Sequence, residues 1–163
     1  MGYATKKILD FARGKSQLLI SELCEEIVHE FLQKKMFPGM KRRVEEHQTI
    51  GHDTWIVSAS PIEIASIVAN KLNMTGAVAT TGEVVQGNYS GNLPGGTMHG
   101  INKAHAVRAL AATRDYDLRT SFAYSDSIND LPLLVSVGNP FIVNPNKHLE
   151  NVALKNRWPI LTH

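Results

Sequence analysis

The sequence predicts an α/β fold, a layered and mainly parallel sheet preceded by an all-helical segment, on three observations. Apolar residues recur at helical spacing from Thr5 to about Gly51. Beyond residue 52, short strand-like runs alternate with helical patterns across loops of a few residues, as successive strand–helix–strand units require. The 163 residues allow one domain, or a small domain carrying a subdomain.

Composition narrows the function classes. Seventeen Lys and Arg against 15 Asp and Glu leave a net charge of +2, too balanced for a polybasic nucleic-acid arm or an acidic tail. The apolar fraction of 43% suits a packed globular chain. No run approaches the ~18 apolar residues of a membrane span. The opening MGYATKKILDFARGK lacks the apolar stretch of about 7–15 residues that marks a secretion signal. Cys24 is the only cysteine, which excludes an intramolecular disulfide and makes the cytoplasm the natural compartment.

The elements follow in order. Ile8, Leu9 and Ala12 are helical in spacing. Ser16 then caps a second helix reaching about Lys35, with Leu18, Leu19, Leu23, Ile27, Val28, Phe31 and Leu32 as its apolar positions. Phe37-Pro38-Gly39 breaks that helix, Pro38 suits the start of the next and Gly51 its C-terminal cap. Thr54–Ser58 is a short strand, and Ser60-Pro61-Ile62-Glu63 reads as a capping box opening a helix to about Leu72. Ala77–Val85 is strand, Gly87-Asn88 a turn and Tyr89–Leu93 a returning strand. A helix over Ile101–Thr113, a strand over Ser121–Tyr124 and a short helix over Asp130–Val137 come next. A strand over Phe141–Val143 and a helix over Lys147–Lys155 complete the pattern.

Ligand sites of such sheets lie beyond the carboxyl ends of the strands, and three loops qualify. Ser58-Ala59-Ser60 leads a strand into a helix, where a hydroxyl and backbone N–H groups suit a phosphate; Ser60 alone reads equally as a cap. Ser125-Asp126-Ser127-Ile128-Asn129-Asp130 offers two carboxylates four residues apart, oxygen ligands of the kind Mg²⁺ takes, although Asp130 also reads as a plain N-cap. Gly95 to Lys103 is the third. It fails as a nucleotide phosphate loop, because Lys103 does not follow Gly100 directly. A lysine in the first turn of a helix opposes the dipole preference and asks for an anion beside it, against the ordinary alternative of a solvated surface lysine.

Other features read as structural. His47 and His52 flank Gly51 without a metalloprotease-type spacing and read as surface residues, and Cys24 reads as core. Lys34-Lys35 and Lys41-Arg42-Arg43 lie beside Glu45 and Glu46 without interleaved aromatics, as on a solvated face rather than a nucleic-acid patch.

Together the three loops are far more specific than any one of them. A strand running into Ser58, Lys103 opening a later helix, and strand–Ser125-Asp126-x-x-Asn129-Asp130 resemble motifs two, three and four of the haloacid dehalogenase-like (HAD) hydrolase superfamily. IVSASP, TTGEVVQGNYSGNLPGG, HGINKAHAV, AYSDSINDLPLL, NPFIVNP and WPIL look, in order and spacing, like its subfamily IB, the phosphoserine-phosphatase-like group. The resemblance covers 44–163 closely, as a three-layer Rossmann-like core, and 1–43 more loosely, as part of an N-terminal helical cap. It implies an Mg²⁺-dependent phosphomonoester hydrolase acting on a small phosphorylated substrate. Ser58 and the following N–H of Ala59 would hold phosphoryl oxygens, and Lys103 would neutralise the phosphate. Asp126 would ligate the metal, Asp130 would hold the metal's surroundings or Lys103, and Asn129 would lie near substrate. Ser125 stands where the family has glycine, a departure of little expected weight.

One departure is large. The family's nucleophile is the first aspartate of Asp-x-Asp-x-Thr/Val at the end of its first strand. The only Asp-x-Asp here, Asp115-Tyr116-Asp117, follows a helix and lies downstream of Ser58, and Asp10 and Asp53 are isolated. The chain reads as beginning inside the cap, and is expected to be inactive alone. In the family the first strand lies between those carrying motifs two and four, here Thr54–Ser58 and Ser121–Tyr124. Their exposed edges are expected to drive self-association, with Trp55, Val57, Phe122 and Tyr124 poorly packed. The alternative reading is a non-catalytic phosphate- or metal-binding or interaction module.

Overall fold

The computed structural model describes residues 11–35 and 38–162. The expected helical positions Ile8 and Leu9 and the break at Phe37 lie outside them. The chain divides into two compact units, 1–98 and 99–163. It is α/β with mainly parallel pairing, as the alternation predicts.

In the first unit, helix α1 spans Gln17–Lys35 and is capped as expected, the Leu19 N–H donating to Ser16 Oγ at 3.2 Å. Helix α2, Pro38–Thr49, ends in a left-handed turn at Gly51, φ +80°, a backbone conformation open to glycine. The N–H groups of Gly51 and His52 return to the carbonyls of Gln48 and His47, each at 3.0 Å. Lys41 pairs with Glu45 and Arg43 with Glu46, so the Lys41-Arg42-Arg43 part of the basic cluster lies on a solvated helix face.

Strands β1, Trp55–Pro61, and β2, Gly76–Thr80, are parallel and joined by helix α3, Ile62–Lys71. The expected capping box does not form. The ladder pairs Ser58 with Ala79 and then Pro61 with Thr80, so Ala59 and Ser60 are a bulge within the strand. Pro61 is left as N-cap without a side-chain cap bond. The strand expected over Ala77–Val85 is broken after Thr80. Its second half, β3 (Val84–Val85), pairs antiparallel with β4 (Asn88–Tyr89), which is shorter than the expected Tyr89–Leu93. Gln86 and Gly87 close this hairpin with φ of 50° and 81°, the positive pair of a type I′ turn. The approach to α1 is stitched onto β4 through Gly14 N–H to Tyr89 C=O, 2.8 Å, and Tyr89 N–H to Lys15 C=O, 2.9 Å. Ala12, Ile20, Cys24, Val28, Ile67 and Tyr89 form the core of this unit.

In the second unit, helix α4 spans Ile101–Arg114. Strands β5 (Phe122–Ser125), β6 (Asn139–Val143) and β7 (Ile160–Leu161) form a parallel sheet in that order. The single helix expected over Asp130–Val137 is a 3₁₀ turn at Ile128–Asp130 followed by the short α5, Leu131–Leu134. Helix α6, Lys147–Asn156, is capped by Asn146 Oδ1, which accepts from the Leu149 N–H at 3.0 Å. At Gly138 a Cβ would fall 1.8 Å from the Arg119 carbonyl oxygen, so only glycine lets the chain pass into β6. Ala123, Leu134, Ile142, Leu149 and Ala153 make the core.

Among the described residues β5 pairs with β6 alone and β1 with β2 alone. Trp55, Val57 and Tyr124 are half-buried and Phe122 is 41% exposed, so none of the four is fully enclosed.

Candidate active site

The second unit brings Lys103 and Asp130 together. Lys103 sits in the first turn of α4 and is only 9% exposed, which overturns the surface-lysine alternative. Its Nζ lies 2.7 Å from Asp130 Oδ1 and donates to Oδ2 at 2.9 Å. Asp130 is 8% exposed and heads α5 without capping it by its side chain; the carboxylate faces the lysine instead. Two opposite charges removed from water need each other, since either alone would carry a desolvation cost of several kcal/mol. Sequence reasoning gave Ser125 little weight. In the structure it is buried at the end of β5, its Oγ donating to Asp130 Oδ2 at 2.8 Å and accepting from the Ser127 N–H at 3.1 Å. The available signal was a hydroxyl standing where the family has glycine, five residues before Asp130.

Asp126 and Asn129 lie in the same loop and are exposed. The Asn129 N–H donates to Ser127 Oγ at 3.3 Å, which closes the 3₁₀ turn and leaves the Asn129 side chain outward. Both oxygens of Asp130 face Lys103, and Oδ2 also accepts from Ser125. Of its two expected roles, this geometry supports holding the lysine. Asp126 is then the carboxylate at the strand end with oxygens to offer a hard cation, which takes one or two carboxylates and completes its shell with water. No group of three or more His, Cys, Asp or Glu side chains arranged to hold a metal occurs among the described residues. A one-carboxylate Mg²⁺ site is compatible with that.

Ser58 and Ala59 belong to the first unit. Ser58 Oγ accepts from the Ser60 N–H at 3.1 Å, which leaves the hydroxyl proton free to be donated elsewhere. The Ala59 carbonyl accepts from Thr80 Oγ1 at 2.9 Å, and the same hydroxyl oxygen accepts from the Met98 N–H at 3.0 Å. Buried Thr80, at the end of β2, thus holds the bulge in place, a role no local pattern announced. Cys24 is buried and its thiol is pushed up by desolvation, in keeping with a core residue. No helix among the described residues is long and apolar enough to cross a membrane.

Comparison with known proteins adds the following. The family model for haloacid dehalogenase-like hydrolases matches residues 4–135. A Mycobacterium tuberculosis protein named phosphoserine phosphatase SerB1 is 38% identical over 155 residues, covering 95% of this chain and 50% of that protein. A Neisseria meningitidis histidinol-phosphatase is 31% identical over 146 residues, covering 87% of this chain and 66% of the relative. The chain spans about half the length of the first of these. A solved structure of a protein of unknown function from Bordetella pertussis superposes with a TM-score of 0.88 at 24% identity, over 97% of this chain and 72% of that one.

Proposed function

This chain belongs to the haloacid dehalogenase-like hydrolases, and on that premise we propose that it carries the phosphate- and Mg²⁺-binding residues of a phosphomonoester hydrolase. The observation that carries the reading is the buried Lys103–Asp130 pair with Ser125 beneath it. A lysine enclosed in a first helical turn and fixed by a carboxylate is a preorganised positive charge, aimed where negative charge develops during phosphoryl transfer. Ser58 donates its hydroxyl to a phosphoryl oxygen, and the Ala59 N–H adds a second donor. Asp126 ligates Mg²⁺, Asp130 positions Lys103, and Asn129 faces substrate from the loop. When bound, Mg²⁺ supplies charge neutralisation at the phosphate oxygens. Residues 1–43 serve as part of a helical cap and 44–163 as the core, and the substrate is a small phosphorylated metabolite met in the cytoplasm.

No Asp-x-Asp-x-Thr/Val motif ends an apolar strand within these residues, so the 163-residue chain binds phosphate and metal without forming a phospho-enzyme. That same observation favours a second reading, a non-catalytic phosphate-binding or interaction module. Two measurements on residues 1–163 test both. Inorganic phosphate with Mg²⁺ is expected to shift the NMR signals of Lys103 and the 125–130 loop, and Lys103→Ala to abolish the shift; an unchanged spectrum removes the phosphate site. p-Nitrophenyl phosphate is expected to remain intact. Mg²⁺-dependent hydrolysis lost in Asp126→Asn would reveal a nucleophile elsewhere in the chain.

A further inference from the structure

Thr80 touches the Ser58-Ala59-Ser60 loop without belonging to any of the three loops that the sequence singles out. It ends β2, is 6% exposed, and lies against the bulge that carries Ala59 and Ser60. We propose that Thr80 is a positioning residue for phosphate binding: through the Ala59–Ser60 peptide it orients the Ser58 hydroxyl and leaves its proton for the ligand. The inference rests on the phosphate-site reading above and adds a residue to it.

Three hydrogen bonds form one series. The Met98 N–H donates to Thr80 Oγ1 at 3.0 Å, and Thr80 Oγ1 donates to the Ala59 carbonyl at 2.9 Å. That carbonyl and the Ser60 N–H are the two ends of one planar peptide, and the Ser60 N–H donates to Ser58 Oγ at 3.1 Å. Backbone groups fix the direction of every bond. An amide N–H only donates, so Met98 makes the Thr80 oxygen an acceptor, and the Thr80 proton goes to a carbonyl that only accepts. Likewise the Ser60 N–H occupies a lone pair of Ser58 Oγ. The Ser58 proton then points out of the series, toward an acceptor beyond it.

The bulge is what makes such a hold necessary. The ladder steps from Ser58–Ala79 to Pro61–Thr80 and passes over Ala59 and Ser60, so the peptide between them is not set by strand pairing. Thr80 sets it by the carbonyl, and the same rotation decides where the Ser60 N–H meets Ser58. Bonds aligned head to tail polarise one another, so the series strengthens Ser58 as a donor once a phosphoryl oxygen accepts its proton. A buried strand end needs only volume, which valine would supply; the hydroxyl is what reaches the loop.

Titration of residues 1–163 with inorganic phosphate in the presence of Mg²⁺, followed by NMR, tests the inference. Thr80→Val should weaken phosphate about three- to tenfold, the worth of one hydrogen bond, and Thr80→Ser should restore it. In a Ser58→Ala background Thr80→Val should weaken phosphate no further, a result that a role confined to stability would not produce. A measurement on the parent decides the matter if Thr80→Val fails to fold: saturating phosphate should shift the Ser60 and Met98 amide protons downfield together. Three results overturn the inference and leave the phosphate site standing: Thr80→Val binding as the parent does, equal weakening with and without Ser58, or unmoved Ser60 and Met98 amides beside a shifting 125–130 loop. A parent that binds no phosphate overturns the site itself, and the positioning role with it.

Discussion

The two units solve the same packing problem with different success. In the second, β6 is flanked on both sides, and three of its five residues, Pro140, Ile142 and Val143, are buried. Leu134, Ile142, Leu149 and Ala153 are sealed from solvent altogether, at 0% exposure. In the first unit β1 has one partner among the described residues, and none of its seven residues is buried. Helix α1 buries Ile20, Cys24 and Val28 on one face, yet leaves Leu18 at 71% and Ile27 at 55% exposure. A strand is enclosed when it has a neighbour on either edge and a helix over each face; three strands give one such strand and two give none. The buried ion pair lies in the unit with an enclosed strand, and the half-buried Ser58 in the one without.

The largest expected effect is on that ion pair. Asp130→Ala strands a buried ammonium and should destabilise the second unit by about 3–5 kcal/mol, whereas Asp126→Ala, on an exposed side chain of the same loop, should change stability by at most about 0.5 kcal/mol. Native-state hydrogen exchange of the β5 and β6 amides reads both. Equal effects would mean that burial does not distinguish the two carboxylates.

Next comes the core. Leu134→Ala should cost about 2–5 kcal/mol, and Val57→Ala on half-buried β1 about 1 kcal/mol or less. Comparable losses would erase the contrast between the units.

A smaller effect concerns association. The outer edge of β5, with Phe122 41% exposed, invites another strand, and Phe122→Lys should shift residues 1–163 toward monomer in sedimentation velocity with little change in stability. An unchanged distribution would place any contact between copies elsewhere.

The smallest effect lies in the hairpin region. Ser90 Oγ and Asn92 Nδ2 donate to Glu83 Oε2 at 2.5 and 2.9 Å and hold its carboxyl below the usual range. A depressed folded-state value means that the unfolded chain takes up the proton first, so this contribution is present at neutral pH and lost on acidification through the folded-state value. Ser90→Ala should return the Glu83 carboxyl toward its ordinary range, as an NMR titration would record. No movement would show that Asn92 holds it alone.

The alternation of strand and helix was legible because each element carries its own period and punctuation. Ser16 caps α1, Gly51 ends α2, and the strand expected over Ser121–Tyr124 lies within one residue of β5. Errors fell where a neighbouring strand overruled a local signal. The Ser60 to Glu63 pattern is a sound capping box in isolation, yet β2 draws the chain on to Pro61 opposite Thr80, and Ser60 is extended rather than capping. Likewise Ala77–Val85 divides at Thr81-Gly82-Glu83, where Gly82 was the local sign of a break, because its second half turns back in a hairpin against β4.

By itself the sequence determined most of the elements and their order, and a family resemblance singled out Ser58, Asp126, Asn129 and Asp130 in loops after strands and Lys103 at a helix start as candidate groups. It could not determine which of them are buried or what they face. Lys103 in a first helical turn has the local signature of a solvated side chain, and Asp130 that of a cap. Only the packing of α4 against α5 puts 27 residues of separation within 2.7 Å and makes the two an ion pair. Periodicity and capping act over a few residues and can be read from them. Burial and charge pairing depend on what the rest of the chain places alongside, and that information exists only once the chain has folded.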